Sequence, residues 1–129
     1  MQPNSDEDLG IRFEERDGYL YAFLSGERNG LPDAKRYWLA AINECNKRGF
    51  KKLLIEQYFP IPLSTIDTFY LAEAIAHMPI SQLRIAFVDQ DIEQNGTNMF
   101  GETVAVNRGG VGKVFTNLAD AEAYLIASP

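Results

Sequence analysis

Four carboxylates offer the most chemistry in this sequence. Glu56, Asp89, Asp91 and Glu93 stand near the ends of two segments that read as strands. Gathered in space, such side chains hold magnesium or move protons. Asp89 and Asp91 equally suit a polar loop before a helix, and Glu93 suits a helix N-terminus. A Ser-His-Asp arrangement would have to use His77, the only histidine, which falls near a helix end. Cys45, the only cysteine, falls on an apolar helical stripe, the place of a small core side chain rather than of a nucleophile. Asn107-Arg-Gly-Gly-Val-Gly-Lys113 has the glycines of a phosphate loop, but they precede a strand and Lys113 is followed by Val114. A phosphate loop needs backbone N–H groups that open a helix, and a Ser or Thr for magnesium. The stretch therefore reads as a helix C-cap and a turn. These residues make no convincing catalytic signature, and no cofactor is implied.

A second feature is apolar. Tyr58-Phe-Pro-Ile-Pro-Leu63 joins a strand to a helix, where a surface loop is ordinarily polar. The helix after it has an unusually wide apolar face. Leu71, Ala72 and Ile75 form the stripe that suits a sheet, while Ile66, Phe69 and Tyr70 lie to another side. Burying a large apolar side chain is worth ~1.5–3 kcal/mol, so a set left in water implies a partner or a pocket. Tyr58, Phe59, Ile61, Leu63, Ile66, Phe69 and Tyr70 are the candidate binding residues. Three readings stand: the loop folds back to close the core, the surface self-associates, or it lines a pocket for an apolar small molecule.

The elements that carry these residues follow from periodicity and punctuation. Ile11–Arg16 alternates as a strand, Asp17–Gly18 suits a tight hairpin, and Tyr19–Ser25 is nearly all apolar, as in a strand covered on both faces. Pro32 opens a helix with Ala34, Trp38, Ala41, Ile42 and Cys45 on one stripe, and Gly49 ends it. Trp38 reads as core and Tyr37 as its edge. Lys52–Gln57 is a strand, and a helix runs from about Thr65 to His77 with Ser64 as N-cap and Asp67 completing a capping-box variant. Leu83–Val88 is a strand. A helix from about Glu93 to Asn107 turns Met99, Phe100, Thr103 and Val104 inward. Gly112–Phe115 is a short strand. Asn117 caps a last helix with Leu118, Ala121, Tyr124 and Leu125 on its apolar side. The order ββαβαβαβα predicts an α/β fold: a mostly parallel five-stranded sheet with an antiparallel N-terminal hairpin strand, and four helices. Ligands of such sheets sit beyond the carboxyl ends of the strands, here Ser25–Arg28, Gln57–Leu63, Val88–Asp91 and Phe115–Asn117.

Three stretches, Lys52-Leu-Leu-Ile-Glu56, Phe100-Gly-Glu-Thr-Val-Ala-Val-Asn-Arg-Gly109 and Val114-Phe-Thr-Asn-Leu-Ala-Asp-Ala-Glu-Ala-Tyr-Leu125, resemble bacterial SpoIIAA-like proteins. That fold is shared by STAS domains and, more distantly, CRAL-TRIO lipid carriers. The resemblance runs from about Ile11 to Ala127. It implies a regulatory or ligand-binding module. In STAS anti-sigma antagonists a phosphorylatable Ser or Thr stands in an Asp-Ser-Ser-Gly-Leu type motif. Ser64 or Thr65 falls there in Leu63-Ser-Thr-Ile-Asp-Thr68, without the preceding Asp or the following Gly.

Composition narrows the field. With 129 residues, 46% of them hydrophobic, the chain can bury one core. Residues 1–8 are polar and acidic and read as a flexible leader before one domain over 9–129. A net charge of −6 with scattered Lys and Arg makes nucleic acid and anionic membranes poor partners. No run approaches the ~18 apolar residues of a membrane span, and no early apolar run suggests a signal peptide. One cysteine excludes an internal disulfide framework, and the cytoplasm is the expected location. The leading expectation is a non-enzymatic interaction or regulatory module, a homodimer or a binder of a protein partner through apolar surface. A carrier or sensor of a nonpolar small molecule is the alternative, and an enzyme using Glu56 and Asp89 with a divalent ion is a third.

Overall fold

The computed structural model of the chain describes residues 9–110 and 112–127; the expected leader over 1–8 lies outside them. Strand β1 (Gly10–Arg16) turns at Asp17–Gly18 into β2 (Tyr19–Ser25), and the two pair antiparallel. Strands β3 (Lys52–Tyr58), β4 (Arg84–Asp89) and β5 (Lys113–Phe115) then add in parallel, giving one sheet in the order β1-β2-β3-β4-β5. Helices α1 (Gly30–Lys47), α2 (Thr65–Ala76) and α3 (Asn95–Asn107) are the crossovers, and α4 (Leu118–Ile126) follows β5. The predicted α/β class, element order and mixed five-stranded sheet are all present.

Because every parallel connection steps in the same direction across the sheet, α1, α2 and α3 lie on one face, with α2 packed against both others. Leu20, Leu24, Leu53, Ile55 and Ile85 reach into that face and are fully or almost fully buried. The alternate residues Tyr19, Tyr21, Leu54, Ala86 and Val88 belong to the opposite face, where α4 sets Ala121 and Leu125 against them. Each large side chain so buried contributes ~1.5–3 kcal/mol.

Tyr37, not Trp38, is the deeply buried aromatic of α1. Its hydroxyl accepts from the Gly10 N–H (3.1 Å) and donates to the Ser25 carbonyl (2.7 Å), so it joins the start of β1 to the end of β2. A tyrosine that finds such partners can be buried whole. The rest of the predicted stripe, Ala34, Ala41, Ile42 and Cys45, is buried as expected.

Both glycine-ended helices close in the same way. After α1, Gly49 at φ 79° donates to the Asn46 carbonyl and Phe50 to that of Cys45. After α3, Gly109 at φ 85° donates to Val106 and Gly110 to Ala105. These are Schellman caps, so Gly109 and Gly110 terminate a helix rather than cradle a phosphate. Helix α1 starts at Gly30, two residues before Pro32, because the Asp33 carboxylate accepts the Asn29 N–H (2.7 Å) and anchors an earlier first turn. A 3-10 turn over Ile92–Gln94 precedes α3.

The largest departure is the rotation of α3. Of Met99, Phe100, Thr103 and Val104, only Val104 is buried; Met99 is 49% and Phe100 41% exposed. The inward side of α3 carries Thr97, Asn98, Gly101, Glu102 and Ala105 instead. Gly101 sits where α3 meets α2: a Cβ added there would stand 3.1 Å from Thr68 Cγ2. Leu118 also faces out, while Ala121 and Leu125 hold α4 to the sheet.

Candidate functional site

The polar inward side of α3 faces a cavity. It lies between α2, α3 and the sheet, along β4 from Ile85 to Asp89, with the start of β5 on one side and residues from the ends of β2 and β3 on the other, and has a volume of about 110 Å³. One water needs ~10–15 Å³ on this measure, so the space takes several waters or a small organic molecule. Three of the strand ends singled out in the sequence supply its wall. Arg28 comes from beyond β2, Gln57, Phe59, Pro62 and Leu63 from the end of β3, and Asp89 from the end of β4.

The inner wall is apolar. Phe59, Leu71, Ala72, Ile85 and Phe87 are buried there, with Trp38, Ile75 and Val114 half-buried beside them. Trp38 stacks on Phe87 with ring centroids 5.4 Å apart, and Tyr37 meets Phe59 edge-on at 5.0 Å. Such ring pairs fix their side chains beyond what area burial alone gives. Two of the candidate residues from the apolar loop, Phe59 and Leu63, therefore belong to this wall.

The other side is polar and largely self-satisfied. Asp89 Oδ2 accepts from Gln57 Nε2 (3.0 Å) and Asn98 Nδ2 (3.1 Å), and its Oδ1 accepts from the Asp91 N–H (2.9 Å). Glu102 Oε1 accepts from the Val114 N–H (2.6 Å). Arg28 differs. Its guanidinium carbon lies 4.1 Å from the Phe59 ring centroid, and its Nη2 donates to the Ile61 carbonyl (3.2 Å). Its Nε is buried and has no acceptor. Burial pushes the Arg28 guanidinium below its ordinary value, against the pull of Asp89 and Tyr37.

The remaining loop and helix candidates separate. Ile61 is 73% and Ile66 68% exposed, and Tyr70, one turn after Ile66, is half exposed. Phe69 is half-buried: its ring meets Tyr70 edge-on and lies under the Arg108 guanidinium, which also pairs with Glu73. Tyr58 follows the alternation of Leu54 and Glu56, so it stands on the opposite side of the sheet from Gln57. Ser64 caps α2, its Oγ accepting the Asp67 N–H (3.1 Å), and Thr65 is the exposed first residue of that helix.

The carboxylates do not gather. In the β3–β4 register Glu56 pairs with Val88, and Gln57 with Asp89, so Glu56 and Asp89 are on opposite faces of the sheet. Glu56 is buried against Tyr21, whose hydroxyl donates to its Oε1 (2.5 Å), and Gln90 Nε2 donates to its Oε2 (3.0 Å). Asp91 Oδ1 accepts the Glu93 N–H, a cap for the 3-10 turn. Among the described residues no group of three or more His, Cys, Asp or Glu stands close enough to hold a metal ion. Shared coordination by Glu56 and Asp89 is therefore ruled out by strand alternation. His77 is exposed at the C-cap of α2, and Cys45 is fully buried, its thiol pushed up to about 11 by burial.

Arg28, Asn98 and Glu102 were not singled out by type. Their signal lay in place: Arg28 follows a strand end, and Asn98 and Glu102 lie four residues apart on one side of a helix. Comparison with family models, with curated proteins and with solved structures found no match. Among the described residues no helix is long and apolar enough to cross a membrane.

Proposed function

We propose that this chain is a cytoplasmic binding module of SpoIIAA-like fold that holds a small, largely apolar molecule between α2 and α3, as a carrier or sensor. One observation carries the reading. The side of α3 turned toward the protein interior is polar and small, while apolar Met99 and Phe100 face outward. A helix that only packed on the sheet would do the reverse. Small-molecule sites are concave, mostly apolar and edged by a few fixed polar groups, and they favour the carboxyl ends of parallel strands. The mostly apolar lining with a few polar groups supports the reading, and so do Arg28, Gln57 and Asp89, which come from strand carboxyl ends. The element order and the three family-like stretches support the SpoIIAA-like assignment.

Native mass spectrometry of protein freshly isolated from the cells that make it tests the proposal. A noncovalent adduct that disappears on denaturation is expected. Protein at its sequence mass alone, across independent preparations, counts against it.

A second reading is self-association of two copies. It rests on Ile61, Ile66 and Tyr70, each half or more exposed, with Ile66 and Tyr70 one turn apart on α2. Sedimentation at micromolar concentration should then give a dimer that Ile66→Asp dissociates. A monomer in the unsubstituted protein removes this reading and leaves the cavity untouched.

A further inference from the structure

We propose that the molecule held in the cavity is a small carboxylic acid, its carboxylate taken by Arg28 and its aromatic or short alkyl body by the apolar wall. This rests on the reading of the cavity as a ligand site and adds the chemical class of the ligand.

The argument is an accounting of donors and acceptors. The two acidic side chains of the lining are already supplied with N–H donors. Asp89 receives three, from Gln57, Asn98 and the Asp91 backbone, and Glu102 receives the Val114 N–H. Neither accepts from Arg28. A guanidinium carries five N–H donors, and among the described residues Arg28 finds one acceptor, the Ile61 carbonyl. Its Nε, shut away from water, finds none. The buried donor without an acceptor therefore belongs to Arg28; Lys113, the other cation of the lining, is exposed.

The fold gives that cation the Ile61 carbonyl, the Phe59 ring and the attraction of Asp89, but no carboxylate hydrogen-bonded to it. Arg28 precedes α1 in a loop, and its stem could be replaced by an apolar side chain packed on Phe59. A planar guanidinium takes both oxygens of a carboxylate at once, which a single charged nitrogen does not. Desolvated hydrogen bonds of this kind are the strong ones. The body of the ligand is bounded by the wall: an apolar cavity of ~150 Å³ accepts a benzene ring, and this one, at about 110 Å³, opens toward a polar rim. The enclosed space is about three-quarters of that benchmark, so a ring or short chain fits with one end in the polar rim.

The test compares phenylacetate with phenylacetamide, which has the same shape and no charge. Binding is followed by methyl NMR at Leu71, Ile75 and Ile85. Phenylacetate should bind about 10- to 100-fold more tightly than the amide, as expected when a charged hydrogen-bonded pair is lost. In Arg28→Gln that preference should fall to about threefold or less. The comparison in the unsubstituted protein stands even if the variant folds poorly. Equal binding of both compounds with shifts at the cavity methyls overturns the acid assignment and leaves the cavity as a ligand site. A preference that persists in folded Arg28→Gln overturns the role of Arg28. Absence of shifts at those methyls with either compound overturns the ligand site, and this inference with it.

Discussion

Replacing Arg28 by methionine should leave the protein as stable or make it more stable. The side chain lies over Phe59 with its guanidinium carbon 4.1 Å from the ring centroid, and its Nε is buried without an acceptor. Leaving a buried donor unsatisfied costs about 1–3 kcal/mol, a penalty that methionine removes. The substitution loses the hydrogen bond to the Ile61 carbonyl, an exposed contact worth about 0.5–1.5 kcal/mol. It also loses a cation–π contact of about 0.5–1 kcal/mol, which a thioether on the same ring recovers in large part. The attraction of Asp89 is lost as well, so the balance runs from no change to a gain of about 1 kcal/mol, or a rise of up to about 3–6 °C in Tm for a chain of this length. Urea unfolding followed by the fluorescence of Trp38, the only tryptophan, reads this directly. A loss of more than about 1 kcal/mol would refute the reasoning. It would mean that Arg28 is a structural residue whose charge the fold already compensates. A gain in stability coupled to a loss of carboxylate binding is the pattern of a side chain kept for function against its own cost.

Three further outcomes are expected. Ser64→Ala should cost about 1 kcal/mol in urea unfolding, because it removes the oxygen that accepts the Asp67 N–H, and Ser64→Asp should restore part of it; no loss would show that the cap is idle. The Tyr21 hydroxyl is pushed up to about 12, first by burial and then by the Glu56 carboxylate that accepts its hydrogen bond. Its folded value exceeds the usual 10, so its contribution is full below about pH 10 and is lost as pH rises from 10 through 12. Stability should thus fall more steeply over that window in the unsubstituted protein than in Tyr21→Phe, and parallel curves would contradict the assignment. Cys45 is fully buried and its thiol is pushed up to about 11, so a thiol reagent at pH 8 should label it only after unfolding; rapid labelling of native protein would contradict its burial.

How much of this was legible in the sequence differs from element to element. The strands were legible because unbroken apolar runs such as Tyr19–Leu24 and Leu53–Ile55 have few other uses in a short chain. Helix ends were legible where a cap residue or a glycine marks them, as at Ser64, Asn117 and Gly49. The carboxyl ends of the strands contribute Arg28, Gln57 and Asp89 to the cavity wall. The face of α3 was misread for a physical reason. Hydrophobic periodicity assumes that inward means apolar, and Met99 and Phe100 satisfied that rule on the wrong side. A helix that borders a cavity turns Thr97, Asn98 and Glu102 inward, and its period then reports the cavity rather than the core. Tyr37 and Trp38 were exchanged because a buried hydroxyl is affordable only with partners, and those partners, Gly10 and Ser25, come from distant parts of the chain. The apolar loop was neither all surface nor all core: Phe59 turned in and Ile61 turned out, a difference of two residues that composition does not record.

The measurement that bears most directly on the cavity is a methyl NMR titration with benzyl alcohol, which carries a ring and no charge. The account predicts saturable shifts at Leu63, Leu71, Ile75 and Ile85, and little change at Ile61 and Ile66 on the outer surface. Shifts confined to Ile61 and Ile66, or none at the four inner methyl groups up to millimolar alcohol, would contradict it.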